Sequence, residues 1–243
     1  MTAVIADLYR SLQELCFPAV CLICQRSVPA FSEIHLCPGC REKMSLIAPP
    51  LCLCCGVEFA AGGESHLCGR CLAQPPGFTR ARAIFRYDEA SAALVHGFKY
   101  GGRTVARQTF RALAALALPL ADLEPPDLIV PVPLHPKRLK ERGFNQALVL
   151  ARFLFPEQRR LICPNTLIRN RWTEPQVALS GQQRRRNLGG AFSLRRPDRV
   201  AGRRVLLVDD VFTTGTTLNE CARVLKQHGA ARVEALTLAR VGY

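Results

Sequence analysis

No stretch of this 243-residue chain is apolar for long enough to span a bilayer: the longest, Ala112 to Ala121, is short and holds Pro119. The first ten residues have no basic run ahead of an apolar one and carry Asp7, so no secretory signal is read there and the expected compartment is the cytoplasm. Aromatics are scarce, with 12 Phe, 4 Tyr and 1 Trp, which leaves few rings for stacking bases along a nucleic acid. No segment reads as a helix-turn-helix. Lysine is missing altogether between residues 159 and 204, where 12 Arg stand against two acids, Glu174 and Asp198. The guanidinium fork recognises phosphate with paired hydrogen bonds, so arginine without lysine points to phosphate binding more than to general solubility. A solvated basic face is the alternative, and it weighs evenly for Arg195, Arg196 and Arg199.

The net charge of +14 is uneven. Residues 1 to 78 hold 5 Lys/Arg against 6 Asp/Glu, and residues 79 to 243 hold 28 against 13. The first part is distinguished by sulfur instead. Ten of the 12 cysteines fall between Cys16 and Cys71, and the pairs Cys21/Cys24 and Cys37/Cys40 recur as Cys52/Cys55 and Cys68/Cys71, each displaced by 31 positions. Neighbours repeat as well: Cys-Leu-x-Cys opens each unit, and His35-Leu36-Cys37 matches His66-Leu67-Cys68. In a cytosolic chain, paired C-x-x-C favours metal over disulfides. Four thiolates per unit suit a closed, tetrahedral structural zinc site, and units this short and poor in large apolar residues could hardly fold without one. Two zinc ions per chain are expected, with pairing within a unit or across units both open. Cys16 and Cys54 are left over, and the two histidines read as neighbours of the sites rather than ligands.

Val4, Ile5, Leu8, Leu12 and Leu15 fall at helical spacing, giving an amphipathic helix over 1–18. Its polar face is not basic, so packing against the rest of the chain is favoured over a place at the inner face of the cell membrane. A double ribbon over 19–74 follows, then the linker Gln74-Pro75-Pro76-Gly77 and a second domain over 79–243. In that domain the pattern predicts strands over 82–87, 127–132, 205–208 and 233–238, helices over 89–99, 104–118, 146–155 and 216–228, and a long polar segment over 163–192. Strand and helix alternate, so the fold class is α/β, a parallel sheet with helices on both faces.

The densest chemistry lies in Val205-Leu206-Leu207-Val208-Asp209-Asp210-Val211-Phe212-Thr213-Thr214-Gly215-Thr216-Thr217. Four apolar residues suit a strand buried on both faces, and in open α/β sheets ligands bind beyond the carboxyl ends of such strands. Asp209 and Asp210 stand at that end. Thr213, Thr214, Gly215, Thr216 and Thr217 then offer amides and four hydroxyls where a helix begins, a place for a phosphate. An ordinary acidic turn before a threonine-capped helix is the plainer reading. A second segment, Val130 to Gln146, begins as a strand and becomes a Pro-bounded basic loop in which Lys137, Arg138, Lys140 and Arg142 would meet a pyrophosphate and Arg142-Gly143 would bring amides close.

The thirteen-residue segment resembles the 5-phosphoribosyl 1-diphosphate (PRPP) motif of type I phosphoribosyltransferases. That resemblance assigns Asp209 and Asp210 to the ribose hydroxyls and Thr213 to Thr217 to the 5′-phosphate. With the basic segment, Leu167 to Gln176, then Arg184, Asn187, Gly190, Ala191 and Phe192, and with Tyr87 and Phe98 to Arg103, the chain resembles the ComF family from about Cys21 onward. The family joins a double zinc ribbon to a phosphoribosyltransferase-like domain and is tied to DNA uptake in natural competence. By that resemblance Leu134, His135, Lys137, Arg142 and Gly143 belong to the pyrophosphate loop, while Arg169 and Arg171 lie in a mobile loop that closes over PRPP and steadies the leaving pyrophosphate. Mg²⁺ accompanies PRPP.

Two features depart from better-known relatives. Purine-base transferases place an acid three residues after the second aspartate, where this chain has Thr213, so no general base is visible. Residue 2 is Thr2, so the amino-terminal cysteine nucleophile of the glutamine-dependent amidotransferases is absent. Two readings of function follow: a PRPP-binding, transferase-like protein acting in DNA uptake or handling, or a PRPP sensor or single-stranded DNA binder without catalysis. Single-stranded DNA and other DNA-uptake proteins are the expected partners.

Overall fold

The computed structural model describes residues 19–29, 32–100, 103–172 and 189–242. The helix expected over 1–18 lies outside them, as do Thr173 to Gln176, Arg184 and Asn187. The second domain is organised on an all-parallel sheet in the order β1-β6-β5-β2, formed by β1 (Arg80–Arg86), β2 (Leu128–Pro131), β5 (Arg204–Phe212) and β6 (Arg232–Arg240). An antiparallel pair, β3 (Leu167–Arg169) and β4 (Phe192–Leu194), stands apart.

Alternate side chains of β5 serve opposite faces. Leu206 and Val208 pack with α3 (Glu89–Tyr100), α4 (Arg103–Leu116) and α6 (Gln146–Leu154) through Leu94, Phe110, Leu113 and Leu150. Val205 and Leu207 pack with α7 (Thr216–Gln227) and the β3/β4 pair through Leu218, Cys221, Leu225, Leu167 and Phe192. Each such buried leucine contributes roughly 1.5–3 kcal/mol. The α6 helix that follows β2 and the α7 helix that follows β5 thus lie on opposite faces, and a crevice opens between the carboxyl ends of these neighbouring strands.

Both ribbons share one backbone plan, offset by 31 positions. Bridges Val20 to Ser27 and Leu51 to Glu58 correspond, as do the bonds Leu22 N to His35 O (2.9 Å) and Leu53 N to His66 O (3.0 Å). The short helices α1 (Pro38–Glu42) and α2 (Gly69–Ala73) correspond too. Gln25 at φ 61° matches Gly56 at φ 68°; only the second is confined to glycine by its surroundings, because a Cβ there would lie 2.6 Å from the Ala81 carbonyl oxygen.

The two units grip opposite faces of the sheet. Cys21 and Leu36 join the core on the α3/α4 side, whereas Cys52, Cys55 and Cys71 join the core on the α7 side. Leu53 and Leu67, the counterparts of Leu22 and Leu36, are exposed. The chain between the units runs along β1, with Ile47 donating to Ile84 O (3.1 Å) and Arg86 to Ser45 O (2.8 Å). Arg82 of β1, 2% exposed, forms an ion pair with Asp122 (2.9 Å) and donates to the Cys52 and Leu53 carbonyls (3.5 and 3.3 Å). A guanidinium this buried persists only when its donors are met.

Two expectations are corrected. The strand expected over 205–208 runs on to Phe212, because β6 keeps pairing with it from Asp209↔Thr237 to Phe212↔Arg240 after β2 has stopped at Pro131↔Val208. The basic segment expected to be a loop contains a helix, α5 (Pro136–Arg142). Pro136 presets the first turn, His135 Nδ1 accepts from Lys137 N (3.2 Å), and the remaining residues are good helix formers up to Gly143 at φ 75°.

Candidate functional site

Asp209 and Asp210 sit on the length of β5 that has a neighbour on one side only. Asp209 Oδ1 accepts the Asp210 amide (2.9 Å), and Asp210 Oδ1 accepts the Val211 amide (2.8 Å). Burial, followed by the Asp210 carboxylate, pushes the Asp209 carboxyl well above the ordinary carboxylate range; the Asp210 amide and the Arg169 guanidinium oppose the shift.

Beyond the acids the chain turns into α7 at Thr216, where the helix was expected to start. Thr214 and Thr216 hydroxyls lie 2.8 Å apart, Thr213 is exposed, and Thr217 is partly so. Gly215 adopts φ 74° directly over Phe212, where a Cβ would come within 2.5 Å of the ring. The turn therefore needs glycine on two independent counts.

The basic segment reaches this place from β2. Leu134 is partly buried, and His135 packs edge-on to Trp172 at 5.2 Å, while Lys137 Nζ lies 4.7 Å over the same indole. The α5 segment and the stretch after β3 are thereby joined. Arg169 at the end of β3 lies over Phe192 (5.5 Å), and its pKa is lowered by burial and then by Arg138, against the pull of Cys221 and Asp209. Arg169, Arg138 and Asp209 are thus in one electrostatic neighbourhood. Arg171 donates to the Gly189 carbonyl at 3.1 Å. The Gly143 amide closes α5 on Leu139 O (2.9 Å) and is engaged within the helix. Arg142 is exposed beside it.

Each ribbon gathers four sulfurs of its own unit, Cys21, Cys24, Cys37 and Cys40 in one and Cys52, Cys55, Cys68 and Cys71 in the other, all within 4.8 Å of one another. Tetrahedral thiolates about 2.3 Å from zinc are about 3.8 Å apart. The observed Cys55–Cys68 separation is 3.8 Å and the Cys24–Cys37 separation 3.5 Å. Burial pushes the Cys52 thiol up, yet amides of Cys68 and Cys55 (3.3 and 3.4 Å) hold it at about 6, and Cys21 is held at about 6 in the same way. Amides aimed at a sulfur favour the thiolate that a metal requires.

Known proteins share both halves. Residues 12–72 match the family model "Double zinc ribbon domain" and residues 145–242 match "Phosphoribosyl transferase domain". DNA utilization protein YhgH of Escherichia coli (strain K12) is 38% identical over 178 residues, covering 70% of this chain and 76% of the relative. The protein of the same name from Salmonella typhimurium (strain LT2) is 36% identical over 228 residues, covering 91% and 90%. Competence protein F of Haemophilus influenzae is 38% identical over 178 residues, covering 70% and 76%. The chain belongs to the ComF family.

In this ComF-family chain, sequence reading passed over Arg70, Arg240 and Phe212. Arg240 is 3% exposed and stacks 4.1 Å from the Phe212 ring beneath Gly215. Only its odd place in an apolar strand could have signalled it. Trp172, noted only as a scarce ring, is the contact that joins α5 to the β3 end.

Two glycines separate strain from clash. Gly143→Ala, at φ 75° with nothing within 4 Å of the added carbon, should cost about 1 kcal/mol of stability, the usual left-handed penalty. Gly215→Ala adds the Phe212 collision and should cost about 2–3 kcal/mol more, as overpacking does. Denaturant midpoints for the two variants check this, and equal losses would show that Phe212 yields freely.

Proposed function

We propose that this chain binds PRPP with Mg²⁺ in the crevice between β2 and β5 and acts as a phosphoribosyltransferase-like protein in the handling of incoming DNA. One observation carries the reading: the Asp209/Asp210 pair stands on the open side of β5, between the Thr213–Thr217 turn and the Arg138/Arg169 cations. Those are the three chemistries that PRPP requires, acceptors for ribose hydroxyls, donors for a 5′-phosphate and positive charge for a pyrophosphate. In this assignment Asp209 and Asp210 take the hydroxyls, Thr213, Thr214, Gly215, Thr216 and Thr217 take the phosphate, and Leu134, His135, Lys137, Arg142 and Gly143 frame the pyrophosphate with Arg169 and Arg171. Bound Mg²⁺ would neutralise pyrophosphate oxygens and lower the cost of charge developing on them. The DNA role is carried over from the names of the relatives, "DNA utilization protein" and "Competence protein F".

Thr213 stands where a purine-base transferase has an acid, so no side chain of the turn can take a proton from an acceptor. This favours an acceptor that needs no such help, or a site that binds without turnover. Calorimetric titration with PRPP, with and without Mg²⁺, tests binding. Pyrophosphate release in the presence of bases, amines or single-stranded DNA then separates transferase from sensor. Absence of heat with Mg²⁺ present would overturn the reading.

Exposed Arg195, Arg196, Arg199 and Arg203 border β4 and β5. We expect them to contact single-stranded DNA through phosphates, with an affinity that falls steeply with salt. Each lost phosphate contact reduces the log-log salt slope by about 0.7, so an Arg195→Ala, Arg196→Ala, Arg199→Ala triple variant should lose about 2 units. Anisotropy of a labelled oligothymidine over a salt series measures it, and an unchanged slope would place the DNA contact elsewhere.

A further inference from the structure

Among the described residues, the second ribbon touches the Thr213–Thr217 turn in a way the first does not. Arg70, in α2 between the metal ligands Cys68 and Cys71, donates through Nη2 to the Thr214 carbonyl oxygen. Arg240, at the end of β6, donates through Nη2 to Cys55 Sγ at 3.4 Å and lies 4.1 Å from the Phe212 ring that underlies Gly215. Phe78, just after the linker, meets the same ring edge-on at 6.1 Å, and Gly77 N donates to Asn219 Oδ1 in the first turn of α7 at 2.6 Å. Around these contacts lies a cavity of about 100 Å³ lined by Cys55, Arg70, Phe212, Thr214, Gly215 and Arg240. Position 39, the counterpart of Arg70 in the first ribbon, is Gly39.

We propose that the second ribbon's metal centre positions the phosphate turn, with Arg70 as the positioning residue and Arg240 as its support beneath the turn. The inference rests on the reading of Thr213–Thr217 as a 5′-phosphate site. A trans peptide is planar, and its carbonyl and the following amide point in opposite directions. A guanidinium that holds the Thr214 carbonyl on the ribbon side therefore turns the Gly215 N–H to the opposite side, away from the ribbon, as a donor for a phosphate monoester. Arg70 can do so only while Cys68 and Cys71, two residues before it and one after it, are fixed by the tetrad. From below, Phe212 and Gly215 are in contact, and the Arg240 guanidinium links that ring to the sulfur of Cys55. The ligand class is a sugar 5-phosphate, and the second ribbon's state decides how well the turn is formed before the ligand arrives.

Arg70 is exposed and supplies no metal ligand, so Arg70→Ala in the full chain leaves the tetrad and the core in place. We expect it to keep the wild-type zinc content, to bind PRPP with Mg²⁺ and ribose 5-phosphate about tenfold more weakly, the worth of one charge-assisted bond, and to exchange the amides of residues 213–217 faster. Arg70→Lys, which still donates, should recover most of the affinity. Arg41→Ala, which removes an exposed arginine from the first ribbon, should change neither property. Wild-type affinity and wild-type exchange in Arg70→Ala would overturn the proposal. If the wild-type protein itself bound neither ligand, the PRPP reading would fail, while the exchange of 213–217 in Arg70→Ala would still decide whether the ribbon holds the turn.

Discussion

Asp209→Asn and Asp210→Asn should each weaken PRPP binding with Mg²⁺ by about ten- to a hundredfold and leave the chain folded. The substitution keeps side-chain size, removes a negative charge and turns one acceptor oxygen into a donor. A ribose hydroxyl that donated to a carboxylate loses a charge-assisted bond of roughly 1.5–3 kcal/mol. The internal bonds survive, because Asn Oδ1 can still accept the Asp210 or Val211 amide that the Asp oxygen accepts. Stability should move the opposite way in Asp209→Asn. Burial holds the Asp209 carboxyl well above its ordinary range, so this group contributes stability below the unfolded pKa that is lost as pH rises through the folded one. At neutral pH the ligand-free wild type therefore bears a charge cost that Asp209→Asn lacks. Thermal melts from the ordinary carboxylate range up to pH 8 should show a downward trend in the wild type that the variant flattens. Unchanged affinity in the double variant would remove the acidic pair from the site, and a lower melting temperature for Asp209→Asn would contradict the burial argument.

Metal loss should cost more than any single substitution in the sheet. Metal analysis of protein purified without chelator should give two zinc ions per chain, and Cys21→Ser or Cys52→Ser should each bring the count to one. Structural zinc of this type binds with an apparent 10–16 kcal/mol at neutral pH, a sum comparable to the whole stability of a domain, about 5–15 kcal/mol. Cys52→Ser should be the worse variant. Cys52, Cys55 and Cys71 are part of the core beneath α7, whereas Cys21 is the one ligand of the first unit that is fully buried in the core on the α3/α4 side. Two ions retained in Cys52→Ser, or one or none in the wild type, would refute the assignment.

Much of this could be read from residue order. The 31-residue repeat survives as matching bridges, amide bonds and short helices, since a tetrahedral thiolate site leaves its knuckles little choice of backbone. The apolar run Val205 to Val208 announces a strand buried on both faces, as it proves to be. What was not legible depends on partners far along the chain. Asp209 to Phe212 remain in the sheet because β6 pairs with them, against the low strand preference of aspartate. Prolines conceal the α5 helix in the sequence, since they suggest a break where one of them starts it. The joining of Trp172 to His135 and Lys137, and of Arg70 to Thr214, spans 35 residues or more and leaves no local periodicity to detect.

The ribbons also settle what happens at β1. This strand ends the sheet, and a bare edge of that kind offers its amides and carbonyls to any other extended chain. Here the segment between the two units takes that row, through Ile47, Ser45 and Leu46, and Cys54 accepts the Ala81 amide. Zinc held by the two tetrads would keep that edge covered: stripping the metal should uncover it, and self-association by strand pairing, visible as light scattering that grows with protein concentration, should accompany or precede loss of the α/β core.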